Sequence, residues 1–345
     1  MLPEIPDVSL PGLLPLLWLC AGAITVLLVD AFRKEARGWL TGLSLFFLAA
    51  AAVSAVWQWD SPQRVMSGMF TADRLTHAFT LIFILGTALT LLLSHDYVAR
   101  EGFATGEYHA LLLFATAGMV MMAGGSNLVT IFLGLEVMSV ASYVLAGFFK
   151  TRPASSEASM KYFLMGAFST GFLLYGIALI YGGAGTLDHA ALAESIARRR
   201  TGGADWLLFS GVGLLVVGFG FKVAAVPFHM WAPDVYEGAP TPVTAFMAAA
   251  VKAAAFVAFF RVFAGPLAGL HVDWDALLWV MAVLTMTLGN VAAIAQRNLK
   301  RMLAYSSIAH AGYLLVALVA LNPSGAGSLL FYLFQYTLST VGAFG

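Results

Sequence analysis

Three ionisable residues, Glu136, Lys222 and Lys252, stand inside long apolar runs. A charge at the centre of a bilayer costs at least ~2.5–3.5 kcal/mol on insertion scales, so it persists only where a partner or water offsets that cost. Glu136 lies eight residues beyond Leu128, the start of its run, which places it roughly 12 Å into a ~30 Å core. Its short stem keeps it from reaching the interface. Lys252 lies ten residues beyond Pro242, in Ala-Ala-Ala-Val-Lys-Ala-Ala-Ala-Phe, roughly 15 Å deep. Lys222 occupies Gly-Phe-Gly-Phe-Lys-Val-Ala-Ala-Val-Pro. Taken singly, each reads as half of a structural ion pair. Three together, of opposite sign, favour a proton or ion path. Burial and pairing bring a lysine into the range where it loads and unloads a proton near neutrality.

The residues after Lys222 add a second signal. Pro227, Pro233, Pro240 and Pro242 fall within sixteen residues, and Pro227 has no amide to donate to the carbonyl of Val223, so a regular helix cannot continue. Broken helices at membrane depth are tolerated where they line a polar cavity, and in transporters they mark ion sites. His229, just past the break, is a candidate proton carrier because imidazole titrates near pH 6.5; a structural histidine is the plainer reading. Glu157 and Lys161 stand four apart in the order that favours an intrahelical pair. An interfacial anchor and a relay both fit them. His310, close to Tyr305, Ser306 and Ser307, forms a polar patch able to hold water. His77, His95 and His109 lie near helix ends and read as structural. No pair of His or Cys has metal-ligand spacing and no Gly-rich phosphate loop follows a strand. The chain itself is therefore expected to hold no NADH, flavin or metal. A single cysteine, Cys20, excludes a disulfide framework and an iron–sulfur cluster held by this chain.

The elements that position these residues follow from composition. The 345 residues are 60% hydrophobic and 10% charged, with a mean hydropathy of +0.86. A soluble domain carries roughly 25% charged residues, so lipid must solvate most of this surface. The net charge is zero, which leaves no basic surface for nucleic acid. Eleven runs are long enough to span: 13–32, 39–57, 75–94, 108–124, 128–149, 159–181, 206–226, 242–263, 276–295, 302–321 and 328–344. Trp39, Trp57, Trp59, Trp206, Trp231 and Trp274 sit near their ends, where interfacial aromatics belong. Thr186 to Arg200 reads as a surface helix with Arg198–Arg200 at its C-terminus, where the helix dipole favours cations. Arg33, Lys34, Arg37, Arg100, Lys150, Arg152, Arg297, Lys300 and Arg301 fall on one side; Arg64, Arg74 and Arg198–Arg200 fall on the other. The positive-inside rule then places the N-terminus outside.

Two long motifs carry a resemblance. One runs Phe221-Lys222-Val-Ala-Ala-Val-Pro227-Phe-His229-Met-Trp231-Ala-Pro233-Asp234-Val-Tyr236-Glu237-Gly-Ala-Pro240-Thr-Pro242. The other runs Gln296-Arg-Asn-Leu-Lys300-Arg-Met-Leu-Ala-Tyr-Ser-Ser-Ile-Ala-His310-Ala-Gly-Tyr. With Leu133-Gly-Leu-Glu136 and Glu157-Ala-Ser-Met-Lys161, the chain resembles the antiporter-like subunits of respiratory complex I, NADH:quinone oxidoreductase, over essentially its whole length.

That resemblance implies an all-α polytopic bundle with a broken seventh helix, about eleven helices present of an expected fourteen, and two inverted five-helix repeats. Residues 1–100 would be helices 1–3, 101–265 the first repeat, and 266–345 the start of the second. The second broken helix and its lysine would lie beyond Gly345. Lys222 matches the lysine of the broken helix and Glu136 the fifth-helix glutamate expected to pair with it. Lys252 matches the eighth-helix lysine on the central hydrophilic axis. Glu157, Lys161 and His229 match accessory polar positions. The implied activity is proton translocation coupled to quinone reduction, in a bacterial inner membrane. Other membrane-arm subunits would be the partners, and NADH, FMN, iron–sulfur clusters and quinone would reside in partner subunits. Two alternatives remain: a subunit of a related cation/proton antiporter or membrane-bound hydrogenase, and a non-transporting membrane spacer.

Overall fold

Inside lipid every backbone N–H and C=O must be satisfied within the chain, and runs of this length do so as helices. The computed structural model describes residues 10–32, 38–101, 106–199, 205–322 and 324–345. Arg33, Lys34, Arg37 and Arg200, used above for orientation, lie outside the described residues. The helices are α1 (Leu10–Phe32), α2 (Leu40–Trp57), α3 (Arg74–Arg100), α4 (Gly106–Gly124), α5 (Leu128–Ala146), α6 (Pro153–Ala184), α7 (His189–Arg199), α8 (Trp206–Lys222), α9 (Trp231–Gly238), α10 (Thr241–Phe246), α11 (Lys252–Phe263), α12 (His271–Ile294), α13 (Leu299–Ala320) and α14 (Gly325–Phe344). Among the described residues nine helical segments are long and apolar enough to cross a membrane, counting Thr241–Phe263 as one. Trp206–Lys222 is shorter because it is the first half of the broken helix.

Close helix contact depends on small residues. A Cβ on Gly118 of α4 would lie 2.6 Å from the Gly134 carbonyl oxygen and from the Met138 amide of α5, and a Cβ on Gly134 would lie 2.7 Å from the Gly118 carbonyl oxygen. The two backbones touch there, as small-residue crossings in membranes allow. This contact sets the rotation of α5, which carries Glu136.

Apart from the helices, the described residues include one antiparallel hairpin, β1 (Gln63–Val65) with β2 (Phe70–Ala72), in the stretch between the second and third apolar runs. It organises one end of the bundle. Phe70 bridges to Gly125, Asn127 bridges to Asp188, and the Ser126 hydroxyl donates to the Gly68 carbonyl at 2.6 Å. Asp73, directly after β2, takes three hydrogen bonds from the Arg261 guanidinium of α11, Nη2 to Oδ1 at 2.9 Å and Nη1 and Nη2 to Oδ2 at 3.2 Å each. Burial would raise the Asp73 carboxyl, but Arg261 and Thr76 hold it below the usual carboxylate range.

The surface helix expected at Thr186 to Arg200 is α7. His189 opens it and is pushed down to about 4, first by burial and then by the Arg261 charge, against the opposing pull of Asp188. A folded-state pKa below the unfolded value of roughly 6.5 contributes stability that is present above pH ~6.5 and is lost as pH falls toward 4. The thermal unfolding temperature of the detergent-solubilised protein is therefore expected to drop between pH 7 and pH 4.5. The loss is at most roughly 3 kcal/mol, and His189→Asn is expected to flatten that segment of the curve. An equally steep curve in the variant would show that other groups govern it.

Candidate functional site

The broken helix is the centre of the site. α8 stops at Lys222, five residues before Pro227, so the interruption begins earlier than the proline alone requires. The last turn closes with the Val223 amide on the Phe219 carbonyl at 2.9 Å and the Ala225 amide on the Gly220 carbonyl at 2.8 Å. Ala224 adopts a left-handed φ of 58°, an uncommon conformation for a residue with a Cβ. Groups released by the break find side chains: the Phe221 carbonyl accepts from the Trp231 indole at 2.9 Å, and the Val226 amide donates to the Thr285 hydroxyl at 2.9 Å. This is how irregular backbone at membrane depth avoids unsatisfied polar groups.

Lys222, only 5% exposed, is thus a side chain on a helix end facing α5. Its ammonium donates to the Ser139 hydroxyl at 2.8 Å and to the Tyr143 hydroxyl at 3.0 Å, with the Tyr143 ring centroid at 5.3 Å. Glu136 instead accepts from the Thr170 hydroxyl of α6 at 2.8 Å. The direct Glu136–Lys222 ion pair expected from the sequence is not formed. The reason is axial position: Ser139 and Tyr143 follow Glu136 by three and seven residues on one face of α5, so Lys222 meets that face about one turn farther along.

Lys252, 3% exposed, begins α11 immediately after a five-residue π-helical turn, Met247–Val251. Such turns inside α-helices frequently accompany function. Its ammonium donates to the Ser307 carbonyl of α13 at 2.6 Å and also engages the Ser307 hydroxyl. His310 is one turn along α13. Its Nδ1 lies 2.5 Å from the Tyr332 hydroxyl of α14, and its ring is 4.8 Å from that of Tyr336. Next to the break, Tyr162 of α6 stacks on Trp231 at 4.5 Å and meets Tyr143 of α5 edge-on at 4.6 Å. Lys222, Lys252 and His310 are therefore brought to the core of the bundle by α8, α11 and α13.

Glu157 and Lys161 form the expected i,i+4 pair at 2.7 Å, but Lys161 also reaches Asp234 of α9 at 2.7 Å. Arg301 of α13 binds the same carboxylate at 2.6 Å and Glu237 at 3.1 Å. Lys161 thus belongs to a charged junction that ties α6, α9 and α13 together. The Lys161 hydrogen bond, opposed by partial burial and helped by Arg301, holds the Asp234 carboxyl below its usual range. His229 sits partly buried in the break. Among the described residues it makes no hydrogen bond to either buried lysine. His95 and His109 both approach the Thr41 hydroxyl, at 3.3 and 3.2 Å, which accords with structural roles.

Sequence reasoning passed over Ser139, Tyr143, Thr170 and Ser307 as partners. The first two had a signal, being polar residues three and seven beyond a glutamate inside an apolar run, on one helix face. Thr170 had none, since its contact depends on how distant helices pack; Ser307 was named for the polar patch beside His310 but not as a partner of Lys252. No cluster of three metal-ligating side chains occurs among the described residues. The charged junction is partly exposed, and such pairs contribute little individually. Asp234→Ala is expected to lower unfolding stability in detergent by on the order of 1 kcal/mol. A double-mutant cycle of Lys161→Met with Asp234→Asn should give a coupling energy no larger than about 1 kcal/mol; a several-fold larger value would mean the junction is effectively desolvated.

The family described as NADH:quinone oxidoreductase/Mrp antiporter, transmembrane, matches residues 125–345. NADH-quinone oxidoreductase subunit N of Trichlorobacter lovleyi is 47% identical over 338 residues, covering 98% of this chain and 69% of that protein. A chain of respiratory complex I from Thermus thermophilus, solved with bound aureothin, superposes with a TM-score of 0.79 at 37% identity, covering 96% of this chain and 69% of that one. A chain of the Mrp complex from Dietzia sp. superposes with a TM-score of 0.80 at 25% identity, covering 98% and 64%. The chain spans about two thirds of the length of these relatives.

Proposed function

This chain belongs to the NADH:quinone oxidoreductase/Mrp antiporter transmembrane family, and from that premise we propose that it translocates protons as a membrane-arm subunit of an NADH:quinone oxidoreductase. The observation that carries the proposal is the pair of buried ammonium groups, Lys222 and Lys252, each held by neutral oxygen acceptors beside a break in regular helix. Both side chains are nearly inaccessible, and neither has a carboxylate within ion-pairing distance among the described residues. Glu136, three residues before Ser139 on α5, would be the carboxylate of the same path. Lys252, Ser307 and His310 extend the polar file toward α14. Glu157 and Lys161 act through the junction that anchors α9, and His229 serves the break.

On this reading residues 1–100 precede the first functional repeat, 101–265 form it, and 266–345 begin the second. NADH, FMN, iron–sulfur clusters and quinone belong to partner subunits. The N-terminus faces the outside of a bacterial inner membrane, and the hairpin end of the bundle lies on the same side. A second reading, a subunit of a cation/proton antiporter, is favoured by the equally good superposition on the Mrp chain; there the same lysines would serve exchange without electron transfer.

Lys222→Ala and Lys252→Ala, introduced separately into the complete protein in membranes, are expected to cut proton pumping driven by NADH:quinone electron transfer by roughly tenfold or more, in line with loss of a proton-transfer group. The complex should remain assembled. Normal pumping and electron transfer in both variants would leave only a spacer role. Absence of any co-assembling NADH-oxidising subunits, with cation/proton exchange abolished by Lys222→Ala, would favour the antiporter.

A further inference from the structure

We propose that the groove between the end of α5 and the start of α6 binds an anionic glycerophospholipid of the surrounding bilayer. Lys150 and Ser156 are placed to receive its phosphate, and Val144, Met160 and Phe163 to receive an acyl chain. The groove has a volume of about 390 Å³, and Tyr143 forms part of its lining. From Ser156 to Phe163 it runs for roughly 10 Å along α6. The inference goes beyond the proton path and stands whether or not Lys222 carries protons.

The polarity of the groove follows membrane depth. α5 has 19 residues and ends at Ala146, a length of about 28 Å that nearly crosses a ~30 Å core. Lys150, four residues past that end, and Ser156, in the first turn of α6, therefore mark the interfacial end of the groove. Val144, Met160 and Phe163 lead inward and are about half exposed. A phospholipid has the same order, charge first and hydrocarbon after. Charge supplies the second argument. The Lys150 side chain is exposed and makes no hydrogen bond or ion pair among the described residues. Its neighbours are committed: Arg152 to Glu101 at 2.6 Å, and Lys161 to Glu157 and Asp234 at 2.7 Å each. An unanswered cation thus stands over an apolar groove, on the side of the membrane that also carries Arg100, Arg297, Lys300 and Arg301. Basic pockets between membrane helices on the positive side suit anionic headgroups.

The floor of the groove is fixed. A Cβ on Gly147 would lie 2.7 Å from the Ser159 Cβ, so the two segments already touch there. The Ser159 hydroxyl donates to the Tyr143 carbonyl at 2.8 Å, and the Tyr143 ring meets Phe163 edge-on at 5.9 Å. The groove is therefore preformed rather than opened by its ligand. The hydroxyl of the same Tyr143 accepts from Lys222, so a lipid seated here covers the Lys222 site from the bilayer. A second groove on α6, beside Phe168, Phe172 and Phe228, has no charged side chain in its lining and serves as an internal control.

The test uses the complete chain in its assembled complex, reconstituted in phosphatidylcholine vesicles containing phosphatidylglycerol with a diazirine in its acyl chain. Adducts formed on irradiation are mapped by mass spectrometry. They are expected on Val144, Met160 or Phe163. Lys150→Gln should lower their yield by about fivefold, the worth of one lysine near an anionic headgroup. Adducts at Phe168 and Phe172 should stay unchanged, and Lys150→Arg should restore the yield. Met160→Trp, which fills the groove from its exposed side, should abolish labelling with Lys150 intact. If Lys150→Gln does not assemble, Met160→Trp decides. A yield indifferent to both variants, or equal labelling by the same diazirine on phosphatidylcholine, overturns the proposal. So does an absence of adducts in the groove because a neighbouring subunit fills it. Adducts lost to added inorganic phosphate at constant ionic strength would assign a free-anion site and overturn the lipid.

Discussion

The structure turns on the break after Lys222. A helix that ended at the membrane surface would present its last carbonyls to water. One that ends inside must find donors within the protein. Trp231 supplies one to Phe221, while Thr285 accepts from the Val226 amide. Each fixes an element: the indole draws α9 back against the end of α8, and Thr285 brings α12 to the break. Once α9 is docked, Asp234 collects Lys161 and Arg301, and α6 and α13 are tied in. The charged junction and the buried lysines therefore depend on the same interruption.

A consequence is that the two lysines occupy different environments although both are nearly inaccessible. Lys222 stands at a helix end with hydroxyl partners from a neighbouring helix. Lys252 stands just after a π turn, where the local register of α11 differs from that of α10, and points at one serine that offers both a carbonyl and a hydroxyl. Neither has a carboxylate within ion-pairing distance among the described residues. Charge burial without a counter-ion is costly, and its retention at two irregular helix sites favours the proposed proton path over a structural ion pair.

At the hairpin end the chemistry differs. Asp73 and Arg261 make a bidentate pair, the strong form of charge-assisted contact, and His189 is kept neutral beside them. This end is fastened, with the hairpin, the α4–α5 turn and α7 joined by backbone bridges. The touching backbones at Gly118 and Gly134 fix α4 against α5 as firmly.

Much of this was legible in the sequence. Length and apolarity of the runs determine membrane helices, because backbone groups in lipid have no other partners. Four prolines in sixteen residues determine the broken helix, because proline lacks an amide. Charge inside the apolar runs at Glu136, Lys222 and Lys252 stands out by position alone. Tertiary structure decided what those charges touch. Glu136 faces Thr170 and Lys222 faces Ser139 and Tyr143 because the rotation of α5 against α4 and α6, set by glycine contacts between distant segments, fixes which turn of the helix meets which neighbour. The hairpin was also hidden: its strands are three residues each and are held by Gly125 and Ser126 from another part of the chain, so no local pattern announces them.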